Sequence, residues 1–125
     1  MVLGGINGLF STALSGLKAA DAIVNTAASN LANLDSAGYK SRRANLAAAP
    51  GGGVAVQSVT ADPSPGPVDD EGREGSNVDP VREIVNLKLG KALYDANAAV
   101  VRVGVDLTGT LLDMLDDGRH GRLRP

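Results

Sequence analysis

The sequence contains no cysteine and no tryptophan, and its only aromatic rings are Phe10, Tyr39 and Tyr94. Without cysteine there is no disulfide, no thiolate zinc site and no cysteine nucleophile, and the redox state of the compartment stays open. The scarcity of rings argues against a thick globular core, where large aromatic side chains normally supply much of the buried area. A concentrated charge of one sign is also missing: 12 Lys and Arg stand against 14 Asp and Glu, a formal net charge of -2. Nucleic-acid binding calls for a concentrated basic face, so no nucleic acid is expected as a partner. No apolar run reaches the roughly 18 residues of a membrane span, because Lys18, Asp21 and several Asn and Ser residues interrupt the best candidate. The segment 1–8 has neither a basic start nor an unbroken apolar stretch, so a cleaved signal peptide is not expected.

What is present is 43% hydrophobic residues, carried mainly by Ala, Val and Leu. Small apolar side chains suit close helix–helix contact, where many modest contacts add up along a seam. Composition divides the chain into an N-terminal helix (1–38), a Gly/Pro-rich linker with a short strand (39–79), a C-terminal helix (80–117) and a flexible tail (118–125). In the first segment Ile6, Phe10, Ala13, Leu17, Ala20, Val24, Ala27, Leu31 and Leu34 recur at alternating steps of four and three. This is the 3.5-residue period of a coiled-coil seam. The helix is expected to stop near Gly38, after the turn-forming Asp35-Ser36-Ala37. In the last segment Ile84, Leu87, Lys91, Tyr94, Ala98, Val101, Val105, Thr108, Leu112 and Leu115 repeat the pattern. Asp79 and Pro80 supply a start signal, and Gly118 an end signal. In the linker, Val54, Val56 and Val59 predict one short strand or hairpin arm. The fold class that follows is mainly α: two long heptad helices forming a coiled-coil hairpin around a linker with short extended segments.

The two helices differ in charge. Up to Leu34 only Lys18 and Asp21 are charged, and the remaining surface of that segment includes Asn7, Ser11, Ser15, Asn25, Ser29 and Asn30. A helix bathed in solvent normally carries charge opposite its apolar stripe, so a neutral helix points to packing on several sides. The partner helix carries Arg82, Glu83, Lys88, Asp95, Arg102, Asp106 and Asp113. Two arrangements fit: layers with the first helix inside, or a simple two-helix hairpin that dimerises.

Reactive chemistry is sparse. His120, the single histidine, sits among Arg119, Arg122 and Arg124 and reads as a solvated tail residue, not a catalytic base. Gly51-Gly52-Gly53 lacks the Gly-Lys-Ser/Thr of a phosphate loop, and Asp69-Asp70-Glu71 lacks the ligand spacing of a calcium loop. Lys40-Ser41-Arg42-Arg43 forms a small basic patch. Lys91, at a seam position, either snorkels outward or pairs with an acid across the interface to set register. No catalytic residue, cofactor, metal or small-molecule substrate is expected.

Specific residues carry a family resemblance. Ala13-Leu14-Ser15-Gly16-Leu17-Lys18-Ala19, then Ala28-Ser29-Asn30-Leu31-Ala32-Asn33, then Ala37-Gly38-Tyr39-Lys40 resemble the N-terminal signature of bacterial flagellar basal-body rod and hook proteins. At the other end, Ser76-Asn77-Val78-Asp79, Glu83-Ile84-Val85-Asn86-Leu87 and Tyr94-Asp95-Ala96-Asn97 look like that family's C-terminal pattern. The short middle segment, with Val54–Asp62, Pro63–Pro67 and Asp70-Glu71-Gly72, is most like the proximal-rod protein of the C type. Leu31 stands where the family usually has Ile, and Asp35-Ser36-Ala37 replaces its usual Thr-containing element.

The resemblance implies a structural subunit that self-assembles with other rod proteins into the periplasm-spanning, torque-transmitting shaft. It also implies export by the flagellar type III apparatus without a cleaved signal, and folding on assembly. Under it, Asn25, Ser29, Asn30, Asn33, Tyr39 and Asn97 are candidate subunit-interface residues. A soluble helical adaptor or binding protein of the flagellar secretion system is the alternative, and would be expected to charge the first helix more heavily.

Overall fold

The computed structural model describes residues 2–121, with the backbone alone at residues 2, 3 and 120. Two α-helices, α1 (Val2–Ala32) and α2 (Pro80–His120), flank a two-stranded antiparallel sheet of β1 (Arg42–Ala48) and β2 (Val54–Ala61). No helix among the described residues is long and apolar enough to cross a membrane.

The helices run antiparallel, and missing side chains let them approach. A Cβ at Gly104 would lie 2.7 Å from the Phe10 ring, one at Gly90 2.6 Å from Val24 Cγ2, and one at Gly16 would overlap the Asn97 amide. As numbers rise along α1, their partners on α2 fall. The core between the layers is made of small groups. Ala13, Ala19, Ala20 and Ala27 are buried with Val78, and the largest side chain fully withdrawn from solvent is Asn30.

On α2 the positions withdrawn from solvent are Glu83, Asn86, Leu87, Gly90, Asn97, Ala98, Val101, Gly104, Thr108 and Leu111. Of the heptad positions, Leu87, Ala98, Val101 and Thr108 are half-buried, whereas Ile84, Lys91, Tyr94, Val105, Leu112 and Leu115 are exposed, and at the alternate positions the contact line passes one residue earlier. The reason is steric. A heptad written for bulk favours Val or Leu, whereas this contact is close enough to require glycine at residues 90 and 104.

The helix ends also differ from the expected ones. Asp79 caps α2 as anticipated, its carboxylate accepting the Val81 amide at 3.1 Å and the Arg82 amide at 3.4 Å, with Pro80 in the first turn. Gly118 does not terminate the helix. It lacks the positive φ of a left-handed cap, and the ladder continues until the Gly121 amide meets the Asp117 carbonyl at 3.0 Å. Of the expected tail, residues 122–125 lie outside the described residues, and so does the side chain of His120. At the other helix, α1 ends at Ala32 and tightens through turn bonds such as Ser36 N–H to Asn33 O, at 3.1 Å, before Gly38 turns left-handed at φ 68.

Val54, Val56 and Val59 lie on β2, one arm of a hairpin, and the other arm, β1, is a strand the sequence did not announce. β1 reads Arg-Arg-Ala-Asn-Leu-Ala-Ala, which carries no β-branched residue; its extended state comes from pairing with β2, a tertiary effect that overrides local preference. The pairing runs from Arg42 opposite Ala61 to Ala48 opposite Val54, with Gln57 bulged out between Ser58 and Val56. Gly51, Gly52 and Gly53 form the tip with φ of 84, 110 and 85, values open to glycine alone at no cost.

The sheet docks on α1. Ser15 Oγ accepts the Val54 amide at 3.1 Å and donates to the Thr12 carbonyl at 2.6 Å. Among the described residues α1 touches both α2 and the two strands, and α2 touches neither strand. The neutral helix is therefore the inner one, and the charged helix lies on the outside.

Replacing Gly90 by Val should lower unfolding free energy by about 1–3 kcal/mol through overpacking. Gly109 sits in helix with open space around it, so Gly109→Ala should add about 0.5–1 kcal/mol. Urea unfolding of the two variants checks both signs together.

Candidate functional site

Asn30 is 0% exposed and joins α1 to the start of β1. Its Oδ1 accepts the Arg42 amide at 2.8 Å and the Tyr39 hydroxyl at 3.0 Å, while its Nδ2 donates to the Arg42 carbonyl at 2.8 Å. One side-chain amide thus pairs with both backbone groups of Arg42, as a neighbouring strand would. Asn77 performs a similar task. Its Oδ1 accepts the Ser41 amide at 2.6 Å, and its Nδ2 donates to the Asp62 carbonyl at 3.0 Å and the Ser64 carbonyl at 2.8 Å. These two amides hold residues 38–41 and the loop 62–78 as one ordered platform at the end of α1.

A charged clamp completes the platform. Lys40 Nζ lies 2.5 Å from Glu74 Oε1 and donates to the Ser64 carbonyl at 3.0 Å. The Lys40 hydrogen bond, joined by the Gly66 amide at 2.8 Å, holds the Glu74 carboxyl below its usual range. Gly66 is buried where a Cβ would overlap the Gly75 carbonyl. At the loop tip Asp69 accepts the Arg73 amide at 2.8 Å and the Glu71 amide at 3.0 Å, and the Arg73 contacts lower its carboxyl. Arg73 also pairs with Glu71. The acidic run 69–71 thus closes its own turn, and no group of His, Asp or Glu among the described residues has a metal-holding arrangement.

α2 presents three faces. The inward face is the glycine-bearing line above. A charged face carries Lys88, Lys91, Asp95, Arg102, Asp106 and Asp113. The third is apolar yet exposed: Val81, Val85, Leu89, Leu93, Val100, Val103, Leu107 and Met114 recur in steps of three, four and seven. An exposed apolar stripe of this length marks an interaction surface. Its signal was in the sequence, as a second apolar series offset from the heptad that was counted.

A cleft of about 620 Å³ opens where α1, the sheet and the start of α2 meet. Ile23, Ala27, Ala44 and Leu89 floor it, and Arg42, Arg43 and Arg82 are exposed around it. Two acids line it as well. Asp62 accepts the Ser64 amide at 2.9 Å, and this bond first, with Arg82 and Lys40 nearby, lowers its carboxyl. Glu83 is 4% exposed, with the Asn86 amide 3.5 Å away.

The residues singled out from the sequence fall into distinct places. On α1, Ile6, Phe10, Leu17, Val24 and Leu31 are half-buried, whereas Leu34 lies beyond the helix and is exposed. On α2, Leu87 and Val101 turn inward, while Ile84, Tyr94, Val105, Leu112 and Leu115 are exposed. Asn25 and Ser29 are exposed at the surface of α1. Asn30 and Tyr39 are taken up by the platform, Asn33 donates to the Ser29 carbonyl at 2.9 Å, and Asn97 packs over Gly16 and donates to the Leu93 carbonyl at 2.8 Å. Lys91 does not reach across the helices. It pairs with Asp95 one turn along at 2.7 Å, which raises its pKa, since the close approach at Gly90 leaves no room for a lysine stem on the contact line.

Residues 10–40, from the ring of Phe10 to the clamp lysine Lys40, match the family model described as Flagella basal body rod protein. The match covers a quarter of the chain, and it ends where the platform begins. No curated protein matches the chain.

Asn30→Ala should cost about 1–3 kcal/mol, since it strands the Arg42 backbone groups. Tyr39→Phe, which removes one of three bonds, should cost about 0.5–1.5 kcal/mol, and thermal unfolding ranks the two. Glu74 has its folded-state pKa lowered, so the unfolded chain binds the extra proton first. The clamp's contribution is complete above the ordinary glutamate range and is lost as pH falls through the lowered value. An NMR titration should show the Gly66 amide moving below the pH at which a free glutamate titrates, and Lys40→Met should shift that midpoint upward.

Proposed function

We propose that this chain is a structural subunit of the bacterial flagellar basal-body rod, and not an enzyme. The single observation that carries this reading is the rod-family match across residues 10–40, which spans most of α1 and the turn into the platform. The finer reading is a proximal-rod protein of the C type, exported by the flagellar type III apparatus and seated in the periplasm-spanning shaft. It rests on the sequence signatures at both ends of the chain.

The geometry explains how such a subunit would assemble. α1 keeps an outward face of Asn7, Ser11, Leu14, Asn25, Ala28 and Ser29, on which Lys18 and Asp21, the two charged residues of the helix, also stand exposed. Burying such a face against another subunit strands few charges. The exposed stripe of α2 offers the apolar counterpart, so the stripe of one copy packs on the α1 face of the next as a coiled-coil-like layer. A contact between two different faces of the same chain does not close on itself and builds a helical polymer. Torque then passes along packed helices, which deform little under load.

The competing reading, a soluble helical adaptor of the flagellar secretion system, makes a different prediction in cells. Deletion of residues 1–34 should leave cells non-motile with basal bodies that lack the rod, seen by electron microscopy of isolated basal bodies. Normal rods in that strain would refute the structural reading, and intact rods with impaired export of later subunits would favour the adaptor.

A further inference from the structure

The two ends of the molecule are chemically unlike. At one end, Arg42, Arg43 and Arg82 stand exposed around the 620 Å³ cleft. No ion pair among the described residues takes up any of these guanidiniums. Of the two cleft carboxylates, Asp62 accepts the Ser64 amide and lies near Arg82 without a close ion pair, and Glu83 is buried. The floor of Ile23, Ala27, Ala44 and Leu89 is apolar.

At the other end α2 outruns its partner. The pairings of Gly90 with Val24 and Gly104 with Phe10 place Val2, the first residue of α1, opposite about residue 112 by continuing the same register. Among the described residues no helix lies beside the next turns. Leu112, Met114 and Leu115 are 62%, 65% and 71% exposed, with Asp113, Asp116 and Asp117 among them. Large apolar side chains interleaved with carboxylates are the complement of an apolar-floored cleft rimmed by arginines.

The chain cannot satisfy itself. From Asn86 in the cleft to Leu115 at the tip is roughly 43 Å of continuous helix. We infer that residues 112–117 of α2 dock into the Arg42–Arg43–Arg82 cleft of a second copy of this chain, joining copies head to tail. Leu112 and Leu115 cover the cleft floor, and Asp113 and Asp117 meet the arginines. This inference rests on the rod reading for its setting and adds the axial contact and its polarity: the α2 tip of one copy enters the platform end of the next.

Because the chain has no cysteine, single introduced cysteines report the contact. Thr60→Cys marks the cleft edge and Leu115→Cys the tip, each in the purified full chain. Under mild oxidation a mixture of the two variants should give a mixed disulfide dimer, and the double variant a ladder of multimers. Dimers formed only between identical variants, or no dimer at all, would overturn the inference; pairing of the Leu115→Cys variant with itself alone would mean a symmetric, tip-to-tip contact instead.

Adding Arg43→Glu to the Thr60→Cys variant should lower the mixed-dimer yield about fivefold or more, and Asp113→Arg with Asp117→Arg on the tip variant should recover it. Circular dichroism confirms that each variant folds. A yield indifferent to the first change and not recovered by the second would also overturn it. A chain that fails to form the ladder but is still required for rod assembly sinks this contact alone. A ladder formed by a chain that the rod does not need sinks the rod reading alone.

Discussion

The close approach of α1 and α2 is the constraint on which the rest of the structure depends. Glycine at residues 16, 90 and 104, and alanine at residues 13, 20 and 27, let two backbones come together with little side chain between them. Each such contact contributes a small dispersion and burial gain, and the total comes from repetition along the helices. The arrangement has a direct consequence for function. A core built this way uses only one face of α2, and leaves its other apolar residues on the outside.

That surplus sets the character of the molecule. In a self-sufficient domain, residues such as Val85, Val103 and Leu107 would be covered; here they line an exposed stripe. The same holds for the tip at Leu112 and Leu115. The inner helix shows the converse economy, with a charge-poor outward face that costs little to desolvate. Apolar surface in excess and a charge-poor counter-surface are the observations on which the proposed assembly rests, beside the match of residues 10–40 to a rod family.

The platform at the end of α1 gives the helices a fixed relation to the linker. Asn30 and Asn77 act as strand surrogates, supplying amide donors and acceptors where the backbone has no neighbour. Lys40 and Glu74 add a charge-assisted bond at the edge. The linker is rich in Gly and Pro yet ordered, because its turns close on their own side chains at Asp62 and Asp69. The platform also fixes the start of β1, whose Arg42 and Arg43 line the cleft.

Much of the fold was legible in the residues. Two long helices follow from the three-and-four spacing and the start of α2 from Asp79-Pro80, while the lack of charge on α1 left its inner position open beside a simple hairpin. The contact line on α2 was half legible, at Leu87 and Val101. Its other half is marked by glycine, which a count of bulky side chains passes over. The strand β1 was not legible, since nothing in Arg42–Ala48 prefers an extended state until β2 lies beside it. Nor was the buried role of Asn30, whose partner Arg42 is twelve residues on. Local periodicity by itself determined that this is a helical, small-residue chain. Only the tertiary structure decided which face of α2 is buried within the molecule and which stays exposed, because that choice depends on how near the two backbones can come.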